Sequence, residues 1–420
     1  MYHSQPLPTQ PDLTRAPALT VPVSTFAVPG LKPEPLDPGK GLTEMNVVTL
    51  AVADNPRLRA VRRQAGVARA QLLEAGLLPD PQISGGLSKS SFFTGYSATL
   101  MEDIHALVTR GAAEGAARAH LKQVNLEILW QEWQVAERAR ELFIETQALA
   151  KLRGVLNRQR TLLGKVYSRD ETQLKQRYVT VSEVTADSIA LNSAEVQWRS
   201  FELQDNQTRH ALNELLGLAP DVRLRLRGAP SEQLVTTAQY RSALTALPHR
   251  RPDLLALQAG YHSEDEQLRE AILAQFPLLN AGVTKSRSAE EGIQSIGFNV
   301  TLTLPLFNRN RGPIAVGRAS RAYLHQAYQA RLDETANQAD QVRAAVRIMQ
   351  GQLKTLDARL SGLDRAAAAA KESLAGGTLS LADYARVDSN ALATQAEEIQ
   401  LRASLEQAHA ALAMLLARPF

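Results

Sequence analysis

The chain has 420 residues, a formal net charge of +4 and no cysteine. The missing cysteine excludes disulfide bonds, thiolate zinc sites and thiol nucleophiles, and so small a positive excess does not indicate nucleic-acid binding. Aromatic residues make up only 5% of the chain, whereas Ala, Leu, Gln, Glu and Arg are abundant. This composition predicts long helices and coiled coils rather than a compact α/β enzyme.

Residues 1–41 are rich in proline and predict an extended arm, because proline fixes φ and cannot donate the hydrogen bond that a helix needs. The segment contains no basic stretch followed by an apolar core, as an export signal would. Two interpretations are open, a cytoplasmic protein or an exported chain whose signal lies upstream of Tyr2. The strands described below favour the exported chain.

The chain contains an internal duplication. Residues 56–86 recur as 252–282, an offset of roughly 200 residues that is far beyond the period of a solenoid repeat. The same offset relates residues 181–216 to 381–416. We therefore predict two structural repeats, 42–220 and 242–420, joined by a linker at 221–241.

Each repeat contains one predicted β-hairpin, at about 82–103 and about 278–305, in which apolar and polar residues alternate. The polar residues expected to share one face are Ser97, Thr99, Asn299, Thr301 and Thr303. Each strand reaches about ten residues, which is the length that crosses a bilayer when the strand is tilted.

Two long helical hairpins follow the predicted strands. Proline is absent between 112 and 177, and a helix of some 65 residues would be roughly 100 Å long. Breaks near Tyr178 and at Gly376–Gly377 separate these helices from return helices that reach Leu216 and Ala417. Leu and Ala recur at steps of three and four, which is typical of coiled coils. A soluble coiled-coil scaffold is therefore one hypothesis, but it leaves the four strands unexplained.

The strands restrict the architecture if they lie in lipid. No run of about 18 apolar residues is present, so a transmembrane helix is not expected. Open sheet edges are not tolerated in lipid, and the smallest closed barrels have about eight strands. We therefore expect an α+β membrane protein in which a homotrimer closes a 12-stranded β-barrel, continued by a barrel of long helices. The polar face would then line a water-filled lumen.

Several segments resemble the outer membrane efflux proteins of the TolC-like family, over nearly the whole chain from Leu42 to Pro419. The segments are Asn55-Pro56-Arg57-Leu58, Arg251-Pro252-Asp253-Leu254, Gln275-Phe276-Pro277 and the turn Leu304-Pro305-Leu306-Phe307-Asn308-Arg309-Asn310-Arg311-Gly312. The last turn resembles the branch that serves heavy-metal pumps of the cobalt–zinc–cadmium type.

This resemblance implies a trimeric channel of the Gram-negative outer membrane that extends into the periplasm. The implied partners are a periplasmic adaptor protein and an inner-membrane resistance–nodulation–division pump, and the implied cargo is a divalent heavy-metal cation. A channel for drugs or other organic solutes is the alternative within this architecture. Many family members are lipoproteins, so we expect a native precursor with a lipidated cysteine upstream of Tyr2.

Glu183 and Asp383 occupy equivalent places in the two repeats and admit two interpretations. Thr180 with Glu183, and Ser380 with Asp383, fit capping boxes at helix starts. By the resemblance, an acid at the Asp383 position belongs to a periplasmic gate, where a ring of acids attracts divalent cations. The family's second gate acid is replaced by Arg386, which would either lock the tip by pairing with Asp383 or Glu183, or weaken the acidic ring.

No catalytic, cofactor-binding or metal site is predicted. The eight histidines form no i, i+4 pair, and the chain contains no nucleophile elbow, phosphate loop or dinucleotide fingerprint. Phe92, Phe93 and Tyr96 are either an aromatic girdle at the outer interface or ordinary strand aromatics. Residues 308–312 predict a turn between the last strand and a helix that begins near Pro313.

Overall fold

The structure is a computed structural model that describes residues 7–10, 12–14, 28, 31, 34, 40–91, 94–230, 234–276, 278–303 and 305–418. Phe92, Phe93 and most of the predicted arm at 1–41 lie outside the described residues. Within the described part, two shorter helices, a β-hairpin and two long helices follow one another, and the same order then repeats.

The elements of the first half are α1 (Glu44–Asp54), α2 (Pro56–Gly76), β1 (Gln82–Lys89), β2 (Thr94–Asp103), α3 (Ile104–Lys175) and α4 (Val181–Leu215). Those of the second half are α5 (Thr237–Arg250), α6 (Pro252–Leu273), β3 (Leu278–Arg287), β4 (Gln294–Thr303), α7 (Arg311–Ala375) and α8 (Leu381–Leu415). No described helix is both long and apolar enough to span a membrane.

The break between α1 and α2 lies at Asn55–Pro56. Thr43 begins α1 with a capping box, in which its hydroxyl accepts from the Asn46 N–H at 3.2 Å and the Asn46 side chain accepts in return. Pro56 then begins α2, where a missing N–H costs nothing. The Asn55 side chain accepts from the Leu58 N–H at 2.9 Å and so caps the second helix.

The long helices α3 and α7 begin earlier than the sequence predicts. α3 starts at Ile104 and has 72 residues, which gives it a length of about 108 Å. Asp103 caps its first turn by accepting from the Ala106 N–H at 3.2 Å, so the helix follows β2 directly. α7 starts at Arg311, two residues before Pro313, because the first turn of a helix has no acceptor for its N–H groups and tolerates proline there.

The chain divides into two compact units, each built from segments of both sequence repeats. The first unit comprises Met1–Arg59, Gln131–Thr245 and Thr335–Phe420. One apolar cluster of this unit joins α3, α4 and α8 through Leu149, Leu152, Val155, Leu156, Phe201, Leu392 and Ile399. These three helices therefore pack side by side through apolar residues.

The second unit comprises Ala60–Trp130 and Ala246–Glu334, and it contains the sheet. α2 packs on α3 through Ala68, Val124 and Ile128. The four strands form one antiparallel sheet in the order β1-β2-β3-β4. β1 and β4 are its edges, so the two predicted hairpins join through β2 and β3.

Candidate functional site

One face of the sheet is polar. The residues predicted to share a face lie together on it, and they are Ser97, Thr99, Asn299, Thr301 and Thr303. The Thr99 and Thr284 hydroxyls are 2.7 Å apart, and the Asn299 side chain donates to Thr284. The register thus produces a surface of hydrogen-bonded hydroxyl and amide groups across three strands.

The opposite face is apolar and exposed. Ile83, Leu100, Val283 and Phe298 lie in one row, because the register pairs Ile83 with Leu100, Leu100 with Val283 and Val283 with Phe298. Ile83 is 79% and Phe298 is 85% exposed in the single chain. A contiguous apolar surface of this kind marks contact with lipid or with another protein.

Among the residues that the structure describes, neither edge of the sheet has a strand partner. β1 and β4 each have one neighbour, so one side of each strand carries backbone N–H and C=O groups without a strand partner. Such edges are templates for pairing with another strand.

The first hairpin tip joins α3 to α4. Arg177 turns the chain with a φ of 62°, and the Tyr178 N–H donates to the Gln173 carbonyl at 3.0 Å. α4 then begins with the predicted capping box, in which the Thr180 N–H donates to a Glu183 carboxylate oxygen at 2.6 Å and the Glu183 N–H donates to the Thr180 hydroxyl at 3.3 Å. The hydrogen bonds from Thr180 lower the pKa of Glu183.

The second hairpin tip joins α7 to α8, and Gly377 supplies the left-handed turn with a φ of 72°. Ser380 caps α8 by accepting from the Asp383 N–H at 3.0 Å. Asp383 does not return a bond to the Ser380 backbone as a full capping box would; it accepts from the Ser380 hydroxyl at 2.7 Å. The predicted box is therefore complete in the first tip and half-formed in the second.

Arg386 pairs with Asp383 within the second tip, since its Nη1 lies 3.0 Å from Oδ1 of Asp383. Both side chains are substantially exposed, at 70% and 48%. The Arg386 charge also lowers the pKa of Glu183 and opposes the rise in the pKa of Asp187. The charge of Arg386 therefore acts on acids of both tips, on Asp383 in the second and on Glu183 and Asp187 in the first.

Asp170 and Asp187 are acids near the tips that the sequence analysis missed. Asp170 on α3 is buried, and burial together with a hydrogen bond and charge from Asp170 raises the pKa of Asp187. We call Asp170, Glu183, Asp187, Asp383 and Arg386 the tip cluster. Asp187 lies one helical turn after Glu183, and this spacing was the available signal.

A half-buried ion pair joins α3 to α8, with Asp388 buried and Arg158 exposed. One guanidinium nitrogen of Arg158, Nη2, donates to both carboxylate oxygens of Asp388, at 2.8 and 3.1 Å. Asp388 is 3% exposed, and the nearby Tyr384 is also buried. No local sequence pattern indicates this pair, because the two residues are 230 positions apart.

In the part of the chain that the structure describes, no group of three or more His, Cys, Asp or Glu residues is arranged to hold a metal ion. The site therefore consists of two surfaces rather than a pocket of ligands. One is the two-faced sheet of the second unit, and the other is the charged tip cluster of the first unit.

Solved structures share this fold. A membrane protein from Pseudomonas aeruginosa is 17% identical, with a TM-score of 0.73 over 89% of this chain and 90% of that one. The outer membrane channel CmeC of Campylobacter jejuni is 15% identical, with a TM-score of 0.74 over 90% and 86%. CusC, whose structure is described in terms of transmembrane channel formation, is 16% identical, with a TM-score of 0.70 over 97% and 98%.

No curated protein sequence matches the chain. Residues 243–418 match the model of the outer membrane efflux protein family. This match agrees with the expected location in the outer membrane and with the expectation of a channel rather than an enzyme. The expected fold class is confirmed: the chain has the fold of the outer membrane efflux channels, and its second half matches their family in sequence.

Proposed function

We propose that this chain is the outer membrane channel of a tripartite resistance–nodulation–division efflux system that exports divalent heavy-metal cations. Three copies form a homotrimer that docks a periplasmic adaptor protein and, through it, an inner-membrane pump. The channel is a passive conduit, since the pump supplies the energy, and it needs neither a catalytic residue nor a cofactor.

The observation that carries this proposal is the sheet, with its exposed apolar face, its polar face and its two unpaired edges. The apolar face is stabilised by contact with lipid, since the transfer of an apolar side chain out of water lowers the free energy. Lipid also requires that the edges be paired, because it offers backbone groups no hydrogen-bonding partner.

Closure by three copies satisfies both demands. One protomer supplies four strands, so three protomers supply 3 × 4 = 12, which exceeds the minimum of about eight for a closed barrel. β1 of each copy pairs with β4 of the next copy, and the polar face with Ser97, Thr99, Asn299, Thr301 and Thr303 lines the lumen.

The tip cluster forms the periplasmic entrance of the channel. Three copies bring Glu183 and Asp383 into rings of negative charge, and such rings favour cations over anions. Arg386 partly neutralises these rings through its pair with Asp383.

A divalent metal is the proposed cargo for two reasons. The turn at 304–312 resembles that of heavy-metal channels, and the tip cluster carries four carboxyl groups against one guanidinium. A channel does not need to bind its cargo tightly, so the lack of a metal-ligand group among the described residues is compatible with metal export.

The test is the metal content of the native host, with and without this gene, under graded exposure to zinc, cobalt, nickel, cadmium and copper. We expect one or two of these metals to accumulate without the gene and to return to normal on complementation. Unchanged metal levels with increased sensitivity to organic toxicants would support an efflux channel but contradict a metal cargo. Extraction of the protein without detergent would instead indicate a soluble coiled-coil scaffold.

A further inference from the structure

The charged residues of the four strands are segregated toward opposite ends of the sheet. The strands contain three basic residues, Lys89 at the end of β1 and Lys285 and Arg287 at the end of β3. All three lie close to the hairpin turns. The two acidic strand residues, Glu102 and Asp103, end β2 next to α3.

The register places the three basic residues on the apolar face. Arg287 pairs with Tyr96, which pairs with Leu87, and Lys89 is two residues beyond Leu87 on the same face of β1. Lys285 pairs with Ile296, which is 71% exposed on the apolar face. Side chains alternate between the two faces of a strand, so these positions share one side of the sheet.

The polar face has no charge at this level. Ser88, Ser286 and Ser295 occupy it there. Glu290 and Glu291 are the nearest acids in sequence, and they lie in the turn beyond Arg287. Lys285 is exposed and makes no ion pair with any residue that the structure describes.

We infer that Lys89, Lys285 and Arg287 form a binding rim for the phosphate groups of anionic membrane lipids, an inference that rests on the proposed membrane location. The rim borders apolar surface directly, so its ligand carries negative charge at one end and acyl chains at the other. A free phosphate ion matches the charges but leaves the nearby apolar side chains of Leu87, Ile296 and Phe298 in water.

The spacing of the three residues suits a headgroup layer. Lys285 is two residues from Arg287 along β3, which is about 7 Å along the strand. A lysine at that depth directs its ammonium group to the interface while its methylene chain stays in apolar surroundings. Tyr96 lies level with Arg287, where an amphipathic ring is favoured at a membrane surface.

Native mass spectrometry of the detergent-purified protein tests this inference. The protein is mixed with equal amounts of phosphatidylglycerol and phosphatidylcholine, and the retained lipids are counted. We expect the wild type to retain the anionic lipid preferentially, and the preference to fall about fivefold for each basic residue lost in Lys89→Gln, Lys285→Gln and Arg287→Gln variants. The charge-preserving pair Lys89→Arg and Lys285→Arg should keep it.

The matched control removes equal charge from exposed positions on α7, by Arg318→Gln, Arg347→Gln and Lys371→Gln, and should retain the wild-type preference. Equal retention of both lipids by the wild type would overturn the inference and leave the proposed channel intact. Loss of the preference on adding inorganic phosphate at the same concentration would also overturn it. A protein that stays soluble without detergent and retains neither lipid would contradict the membrane location itself.

Discussion

The two hairpin tips occupy equivalent places in the duplicated sequence, but they carry their charges at different positions. After the shared cap, the first tip continues Ala186-Asp187-Ser188 and the second continues Arg386-Val387-Asp388. In the first tip an acid faces the buried Asp170, and in the second a base pairs with Asp383 while Asp388 pairs with Arg158.

This difference shows which features local backbone chemistry requires. Both helices need a hydroxyl to satisfy their first N–H groups, so Thr180 and Ser380 both act as caps. The charges are not needed for the turn, and they differ because α4 and α8 face different neighbours. A homotrimer would therefore have six tips, three with the charges of the first tip and three with the charges of the second.

The largest expected effect is the loss of the Arg158–Asp388 ion pair, compared with a change at the equivalent position of the first tip. Asp388→Ala leaves Arg158 without its carboxylate and should lower the free energy of unfolding by about 2 kcal/mol, less than a fully buried pair because Arg158 is half exposed. Ser188→Ala alters the exposed equivalent in the first tip and should change it by less than about 0.5 kcal/mol. Thermal unfolding of the detergent-purified variants measures both, and equal effects would contradict the assigned role of the pair.

The turns differ in the residue at the left-handed position. Gly377→Ala should cost about 1 kcal/mol, since a Cβ there meets no atom within 4 Å and only backbone strain opposes it. Arg177→Gly should stabilise the first tip by a similar amount, because it removes that strain. A change of the same sign in the free energy of unfolding of both variants would contradict this comparison.

The caps should differ slightly. Thr180→Ala removes a hydroxyl that belongs to a reciprocal box, and we expect a loss of about 1 kcal/mol. Ser380→Ala should cost less, since Asp383 keeps its pair with Arg386. Hydrogen exchange of the first-turn amides measures the effect of each variant. A larger increase in exchange at α8 in Ser380→Ala than at α4 in Thr180→Ala would contradict the expected order.

The smallest expected effect is a pH dependence of opposite sign at two acids of the first tip. The pKa of Asp187 is raised above 3.8, so its contribution to stability is complete below that value and is lost as pH rises through the raised pKa. The pKa of Glu183 is lowered below 4.5, so its contribution is present above that value and is lost as pH falls through the lowered pKa.

Asp187→Asn should therefore flatten the decline in stability as pH rises above about 4, whereas Glu183→Gln should flatten the decline as pH falls. Thermal unfolding over a pH series compares the two variants with the wild type. A pH profile unchanged by Asp187→Asn would contradict the raised pKa of Asp187.

The sheet could be predicted from the sequence because its signal is local. Alternation at residues 298–303 predicts the strand and its two faces, and the register then follows from the hairpins. The start of α3 could not be predicted as well, because a cap by Asp103 looks in sequence like the end of a strand. The position of the basic rim could not be predicted either, because the face on which Lys285 lies depends on how β2 pairs with β3.

The tip cluster could be predicted in part. Thr180 with Glu183 has the spacing of a capping box, which depends on residues three positions apart. Two contacts could not be predicted, because they join distant segments and have no local sequence pattern. They are the contact of Asp187 with Asp170 and that of Asp388 with Arg158. The sequence offers Arg386 either Asp383 or Glu183 as a partner, and the structure pairs it with Asp383.

Closure of one barrel by three copies is the central claim, and disulfide trapping tests it most directly. The chain has no native cysteine, so paired cysteines at Ser84 on β1 and at Ser295, Gly297 or Asn299 on β4 report only the engineered contact. We predict that one of these pairs produces a covalent species of three copies and none larger, while single-cysteine variants stop at two. A ladder that extends beyond three copies, or no crosslink between β1 and β4, would contradict the account.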